Sequence, residues 1–162
     1  MSNAVETHDL VIIGAGAAGL AAAVGAYDAG VRDIVVLERE GGAGGILKQC
    51  IHNGFGLHRY REELTGPEYA RREMQAVIDR DITVLFDTTV IDLSSDRTLV
   101  TVSPTHGVVS IKAGAVILAM GSRERTRGML GIAGTRPAGI YTAGAAQNLI
   151  NLHGIVPGRE IV

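Results

Sequence analysis

The sequence predicts an α/β domain, a mainly parallel β-sheet in which a helix connects the first two strands. Three observations predict this fold: an apolar run at Asp9–Ile13, an alanine-rich stretch at Ala17–Ala29, and a second apolar run at Ile34–Leu37. Strands that are apolar throughout are typical of sheets covered on both faces. Strand, helix and strand within about 30 residues form a βαβ unit. Gly30 lies where a left-handed residue would end the helix.

Composition limits the classes of protein to consider. The chain has 162 residues, of which 46% are apolar and 20% charged, and this balance is typical of a folded globular domain. A formal net charge of −2 gives no electrostatic reason to expect a nucleic acid partner. Aromatic residues make up only 4%, which argues against a stacking surface for single strands. Cys50 is the single cysteine, so an internal disulfide is excluded.

The N-terminal region does not predict a signal peptide or a membrane span. The longest apolar stretch, Leu10–Ala26, is interrupted by glycines and follows acidic residues instead of basic ones. We therefore expect a cytoplasmic protein. Residues 1–8 are expected to form a disordered tail, in which Ser2–Ala4 has the composition of an expression-tag remnant.

The middle of the chain predicts a long loop, a helix and then short strands. Residues 41–57 are glycine-rich without periodicity, and loops of this length are often functional. Thr65–Glu68 has the form of a capping box, and it opens a helix that places Ala70, Met74 and Val77 on one face. Further strands are predicted at 82–86, 89–93, 98–102, 108–111 and 115–119, three of them in a β-meander, and a last helix at 143–152.

A G-x-G-x-x-G motif lies between the first predicted strand and helix. Gly14 permits the tight turn, Gly16 lets a pyrophosphate approach the backbone, and Gly19 lets the helix pack closely on the strand. The free amides of this turn, including those of Ala17 and Ala18, face the phosphates together with the positive end of the helix dipole. A glycine-rich turn without a ligand is the alternative interpretation.

Glu38 supports the ligand-binding interpretation because it ends the second predicted strand, nineteen residues beyond Gly19. A carboxylate at that position accepts hydrogen bonds from both hydroxyls of an adenosine ribose. It would repel a 2′-phosphate and so disfavours NADP, although Arg39 beside it is a residue type that accommodates such a phosphate. Together these features predict a dinucleotide-binding site.

Beyond this unit the sequence departs from an ordinary NAD-binding domain, because no second regular βαβ half follows. Instead it resembles the flavoproteins with two dinucleotide-binding domains, the pyridine nucleotide-disulfide oxidoreductase superfamily. The motifs that carry the resemblance are Gly14–Gly19, Leu37–Arg39, Gly44–Gly45, Asp87–Val90 and Ala115–Gly121. Residues Gly44–Gly56 are similar in particular to relatives of anaerobic glycerol-3-phosphate dehydrogenase and to flavin subunits of amino-acid dehydrogenases.

The resemblance implies a Rossmann-like FAD-binding domain with the β-meander as a crossover, in an oxidoreductase that transfers hydride through its flavin. The implied pyrophosphate and ribose contacts are those already described, at Gly14, Gly16, Gly19 and Glu38. The other implied cofactor contacts are Gly44, Gly45, Ile46, the Val90 backbone near the adenine, and Ala119–Gly121 (Ala119 and Gly121 in particular) near the flavin. The same resemblance suggests Gln49 and Asn53 as amide partners of flavin edge atoms.

The chain departs from the disulfide reductases of that superfamily at two positions. The resemblance places two redox cysteines at positions that hold Leu47 and His52 here, and Cys50 between them has no partner. Because dithiol chemistry needs a resolving thiol, we exclude a disulfide reductase mechanism. His52, His58 and Cys50 do not have the spacing of a structural zinc site, so no metal is expected.

The expected domain organisation follows from the same resemblance. Residues 9–157 are expected to form an incomplete FAD-binding domain and residues 158–162 the start of an NAD(P)H-binding domain, the rest of which is missing. The expected partners are FAD, the missing part of the same protein and, as one option, further copies of the chain, with NAD(P)H bound only in the missing domain. Two alternatives stay open: an NAD-dependent dehydrogenase domain, and a non-catalytic fragment that binds cofactor weakly or not at all.

Overall fold

The computed structural model describes residues 5–160. The suggested tag remnant and residues 161–162 of the expected second domain lie outside this range. The described elements, in chain order, are β1 (Glu6–Ile13), α1 (Ala17–Asp28), β2 (Ile34–Leu37), a 3-10 helix (Gly45–Gln49), β3 (Asn53–Phe55), α2 (Leu57–Tyr60), β4 (Leu64–Thr65), α3 (Gly66–Ile78), β5 (Thr83–Leu85), β6 (Thr89–Leu93), β7 (Thr98–Ser103), β8 (Gly107–Leu118) and α4 (Ala143–His153). Within residues 5–160 no helix has the length and apolar character needed to cross a membrane.

A six-stranded sheet organises the fold, and it confirms the predicted α/β class. Its strand order is β5-β2-β1-β8-β7-β6. The first four strands run parallel, because β1 pairs in parallel with β2 and β8, and β2 with β5. The last three are antiparallel neighbours and form the predicted β-meander. A separate two-stranded sheet joins β3 and β4.

The paired residues of β1 and β2 are buried on both faces of the sheet, as their fully apolar sequences predict. Leu10 and Ile12 of β1 point to the face on which α1 and α3 pack. Val11 and Ile13 point to the other face, where they join a cluster that includes Leu99 of the meander. This alternation explains why β1 and β2 contain no polar residue where they pair.

The end of α1 and the start of α3 follow the sequence predictions. Gly30 has a φ of +106° after α1, in the left-handed region that favours glycine. At the start of α3, the Thr65 hydroxyl accepts the Glu68 amide, while the Glu68 carboxylate accepts the Thr65 amide at 2.8 Å. Hydrogen bonds to the Glu68 carboxylate from the Thr65 amide, and then from the Thr65 hydroxyl, lower the pKa of Glu68.

Three predictions about element boundaries are wrong. The strand β1 begins at Glu6, so residues 6–8 lie in the sheet and not in a tail. The strands predicted at 108–111 and 115–119 form one strand, since β8 pairs with β1 from Ile111 to Leu118. Gly114 allows this, because a Cβ there would lie 2.7 Å from the Asp9 carbonyl oxygen. The glycine-rich loop at 41–57 contains the 3-10 helix and β3.

The two edges of the main sheet are short or irregular. β5 has three residues. β6, at the opposite edge, shifts register between Val90 and Asp92, which is the irregularity of a β-bulge.

The C-terminal part of the described chain is more open than the sheet. Residues 119–142 form no helix or strand, and α4 has no buried residue. Large apolar side chains in this region are exposed, namely Met120, Met129, Leu130, Ile132, Ile140, Ile150, Ile155 and Val156.

Candidate functional site

The predicted site residues meet at one edge of the sheet. Gly14 follows β1, Glu38 follows β2, and Ala119 follows β8. Because these three strands are adjacent and parallel, their carboxyl ends lie side by side. Ligands of open α/β sheets bind at such an edge.

The three glycines of the motif have three different surroundings. Gly14 has a φ of +105°, and a Cβ there would lie 2.5 Å from the Ala119 carbonyl oxygen. A Cβ at Gly19 would lie 1.8 Å from the Gly14 carbonyl oxygen, so this glycine lets α1 pack directly against the turn. At Gly16, by contrast, a Cβ would meet no atom of residues 5–160 within 4 Å. Packing therefore requires glycine at Gly14 and Gly19 and leaves open space beside Gly16.

The first turn of α1 presents its amides to this open space. Gly16 is the N-cap residue, and among the described residues no side chain caps the helix or places an acidic group in its first turn. The amides of Ala17, Ala18 and Gly19 precede the first hydrogen bond of the helix, in which the Leu20 amide donates to the Gly16 carbonyl at 3.0 Å. Amides arranged in this way, with the positive end of the helix dipole, form an anion site.

Glu38 lies beside the glycine turn and is held in place by two backbone amides. Its Oε2 accepts the Ala15 amide at 2.8 Å, and its Oε1 accepts the Glu40 amide at 2.9 Å. The residue is 7% exposed. Each carboxylate oxygen has a second lone pair, so the group can accept further hydrogen bonds. Arg39, next along the chain, has an exposed side chain.

Val90 lies near Glu38, because the segment between β5 and β6 is bonded to the Glu38 backbone. The Thr88 amide donates to the Glu38 carbonyl at 2.9 Å, and Val90 lies two residues further on. Its side chain is half-buried against the apolar cluster on the meander side of the sheet. The structure therefore brings Val90 to the side of the site where Glu38 lies.

The Gly44–Gly45 pair lies against the glycine turn. The Gly44 amide donates to the Ala15 carbonyl at 2.8 Å, and a Cβ at Gly45 would lie 3.3 Å from the Gly16 Cα. Both glycines have positive φ values, +117° and +51°. Ile46 follows with a side chain that is 64% exposed.

Ala119 and Gly121 lie on the other flank of the turn. The Ala119 amide donates to the Ile13 carbonyl at 2.9 Å, which extends the pairing of β8 with β1 by one bond. Gly121 is exposed and has a φ of +71°. The turn at Gly14–Gly19 thus lies between two loops, 44–49 and 119–125.

Gln49 has a different environment from the one that the resemblance suggests. Its side chain is buried, and its Nε2 donates to the Gly144 carbonyl at 3.1 Å and to Gln147 Oε1 at 2.9 Å. Its Oε1 accepts Asn148 Nδ2 at 3.1 Å. The amide therefore binds α4 and is not turned toward a ligand, while Asn53 is exposed.

The two positions at which the resemblance places redox cysteines hold no thiol. Leu47 is buried and His52 is exposed. Cys50 is half-buried, with no second cysteine in the chain. Between residues 5 and 160, no group of three or more His, Cys, Asp or Glu side chains is placed to hold a metal ion.

Sequence reasoning missed Glu124, which joins the second flanking loop to α4. Its Oε1 accepts the Gly144 amide at 2.8 Å. Hydrogen bonds from the Thr142 hydroxyl, and then from the amides of Gly144 and Ala145, lower the pKa of Glu124. No local pattern signals this contact, which spans 20 residues.

Glu73 is a second charged residue that the sequence reasoning missed. It is fully buried in α3, accepts the Tyr60 hydroxyl at 2.6 Å, and pairs with Arg59 Nε at 2.5 Å. Burial and the Glu73 carboxylate raise the pKa of Tyr60. A signal was available: Glu73 shares the helix face of Ala70 and Val77, where a charge needs a partner.

A strand, a glycine turn, an uncapped helix and an acid after the next strand define a dinucleotide-binding fold of the Rossmann type. The family model described as pyridine nucleotide-disulphide oxidoreductase matches residues 8–153. The chain therefore belongs to this family of flavin-dependent oxidoreductases.

Individual relatives agree with this assignment. The chain is 30% identical, over 97% of its length, to an opine oxidase subunit from Agrobacterium tumefaciens (strain Ach5), of which it covers 32%. It is 31% identical over 78% of its length to thioredoxin reductase of Ureaplasma parvum serovar 3 (strain ATCC 700970), of which it covers 38%. The structure of L-proline dehydrogenase from P. horikoshii superposes with a TM-score of 0.71 at 19% identity, over 96% of this chain and 31% of that one. The chain thus spans about a third of the length of the curated relatives it matches.

Proposed function

We propose that this chain is the FAD-binding part of a flavin-dependent oxidoreductase. The observation that carries the proposal is the pairing of open space beside Gly16 with free amides at the start of α1. A pyrophosphate fits this arrangement because its charge is stabilised by the amides and the helix dipole, and because no Cβ fills the space.

Each neighbouring residue has a proposed part in holding the cofactor. The amides of Ala17 and Ala18 donate to the pyrophosphate, and the buried Glu38 carboxylate accepts the hydroxyls of the adenosine ribose. The Gly44–Gly45–Ile46 loop and the Ala119–Gly121 loop flank the cofactor, and the Val90 backbone meets the adenine. Arg39 lies at the ribose, with its exposed side chain toward solvent.

When bound, FAD would supply hydride transfer at its isoalloxazine ring, and this chain would supply binding, orientation and exclusion of water. We infer that the electron donor is a reduced substrate or NAD(P)H. By this proposal NAD(P)H binds in a second domain, of which residues 158–162 form the start.

We further propose that the reaction is not disulfide reduction. The similarity to a thioredoxin reductase leaves that activity open, whereas the similarity to an opine oxidase favours oxidation of a substrate. Within these 162 residues the second activity is favoured, because a dithiol requires two cysteines, Cys50 is the single cysteine, and Leu47 and His52 stand where the resemblance places redox cysteines.

Binding measurements with three probes test the proposal: FAD, ADP, which lacks the flavin, and FMN, which lacks the adenosine. We expect FAD and ADP to bind the purified chain, and Glu38→Gln to weaken both by roughly tenfold through the loss of a charge-assisted hydrogen bond. FMN affinity should not change in this variant. Glu63→Gln is the matched control, because Glu63 is exposed.

Two results would overturn the assignment. If neither FAD nor ADP binds, the chain is a fragment that does not hold cofactor by itself. If NADH binds more tightly than FAD, the alternative of an NAD-dependent dehydrogenase domain is correct.

A further inference from the structure

We propose that α4 is a positioning helix for the flavin end of the site, and that it acts through Gln49 and Glu124. This inference rests on the proposed function, because it assumes that FAD extends from the glycine turn between the two flanking loops. It concerns residues outside the proposed cofactor contacts, since neither side chain binds the cofactor itself.

The attachment of α4 to the loop 44–49 is polar and depends on Gln49. No residue of α4 is buried, so apolar packing contributes little to holding the helix in place. The Gln49 side chain makes hydrogen bonds with Gly144, Gln147 and Asn148. The Gln49 backbone carbonyl oxygen accepts a hydrogen bond from Asn151 Nδ2 at 2.7 Å. Four hydrogen bonds to one residue therefore join the helix to this loop.

The attachment of α4 to the second loop depends on Glu124. Its carboxylate accepts the Gly144 amide at the start of the helix, where negative charge is favoured by the helix dipole. A Cβ at Gly144 would lie 2.6 Å from this carboxylate, so a larger residue there would displace the Glu124 side chain from its present position.

These contacts connect the glycine turn, the two flanking loops and α4 in a closed ring of contacting residues. The Gly14 turn contacts Ala119, the chain leads from there to Glu124, and Glu124 binds the first turn of α4. On the other side, α4 binds Gln49, and Gly45 of the same loop lies against Gly16, which closes the ring. The helix thus joins the loops 44–49 and 119–125 to each other.

Because the ring of contacts includes both loops, we expect α4 to affect the affinity for FAD and not the affinity for ADP. ADP needs the glycine turn, Glu38 and the Val90 backbone, all of which are held by the main sheet. The flavin needs the two loops at a fixed spacing. Loosening α4 should therefore weaken FAD and leave ADP unaffected, whereas a general loss of structure would weaken both.

The experiment measures FAD and ADP affinity in Gln49→Met, Glu124→Ala and the double variant. Gln75→Met is the control, because Gln75 is exposed on α3. We expect each single variant to weaken FAD about tenfold while ADP stays within about twofold, and the double variant to lose little more than either single one. The absorption and fluorescence of bound flavin at saturation should differ from those of the wild type.

Each other outcome overturns the proposal. Equal loss of FAD and ADP affinity, unchanged flavin spectra at saturation, or fully additive losses in the double variant would show that α4 does not position the loops. If the wild type binds ADP and FAD normally but the variants do too, only this inference fails. If the wild type binds neither, the proposed function fails first.

Discussion

Substitution of Gly16 by alanine separates a role in ligand binding from a role in folding. The backbone at Gly16 has a φ of −77° and a ψ of −174°, which alanine adopts readily, and a Cβ there meets no protein atom within 4 Å. We therefore expect Gly16→Ala to fold normally and to lose affinity for FAD. Gly19→Ala should behave in the opposite way, because its Cβ would lie 1.8 Å from the Gly14 carbonyl oxygen and the helix must move.

The expected size of the loss follows from the amides at the turn. A methyl group in the open space keeps the pyrophosphate from one of the amides, and a hydrogen bond to a charged group contributes about 1.5–3 kcal/mol. Because about 1.4 kcal/mol corresponds to a tenfold change in affinity, FAD should bind about 10- to 100-fold more weakly. The free energy of unfolding should change by less than about 1 kcal/mol, since alanine is a slightly poorer N-cap than glycine and also restricts the unfolded chain.

Gly25→Ala provides the matched control. Gly25 lies inside α1, and its added Cβ also meets no atom within 4 Å, but it is distant from the turn along the helix. This variant should gain up to about 1 kcal/mol in stability with unchanged FAD affinity. Quenching of flavin fluorescence gives the affinities and urea unfolding gives the stabilities. If Gly16→Ala and Gly25→Ala bind FAD equally well, the space beside Gly16 does not receive the phosphates.

Two further predictions concern residues away from the turn. Glu73→Gln should lower the free energy of unfolding by about 1–2 kcal/mol, because Arg59 and Tyr60 lose a buried charged acceptor. The loss is limited because Arg59, with 43% of its side chain exposed, regains hydrogen bonds to water. Urea unfolding measures the change, and equal stability of Glu73→Gln and Glu63→Gln would contradict it. Because the pKa of Glu124 is lowered from its usual 4.5, its stabilisation of α4 should be present above that value and be lost as the pH falls through the lowered one. The amides of α4 should therefore exchange faster in Glu124→Gln than in the wild type at neutral pH, and at the same rate in strong acid. A difference in exchange rate that persists in acid would show that the ionised Glu124 carboxylate is not what stabilises α4.

The parts of the fold set by local chemistry could be predicted from the sequence. The capping box at Thr65 and the end of α1 near Gly30 depend on residues within a few positions of each other. The location of Glu38 follows from strand periodicity, since the residue after an apolar strand of a parallel sheet lies at the carboxyl edge. Its buried hydrogen bond to Ala15 crosses 23 residues, yet the βαβ unit makes that contact predictable.

The parts set by distant contacts could not be predicted in this way. Gln49 bonds to residues 95 to 102 positions away, and nothing near it in sequence distinguishes a ligand contact from a structural one. The sequence pattern divides β8 in two because Lys112 and Gly114 interrupt its apolar run. Pairing with β1 along Glu6–Ile13 overrides that interruption, because a long neighbouring strand satisfies the backbone whatever the side chains.

The shape of the sheet edges has a consequence for how copies of this chain can associate. A three-residue β5 at one side and the bulge near Asp92 at the other offer few backbone groups in register for an incoming strand. Growth of the sheet from molecule to molecule is therefore disfavoured. Self-association at high concentration should instead proceed through the exposed apolar side chains of residues 120–156, and detergent, which covers apolar surface, should suppress it.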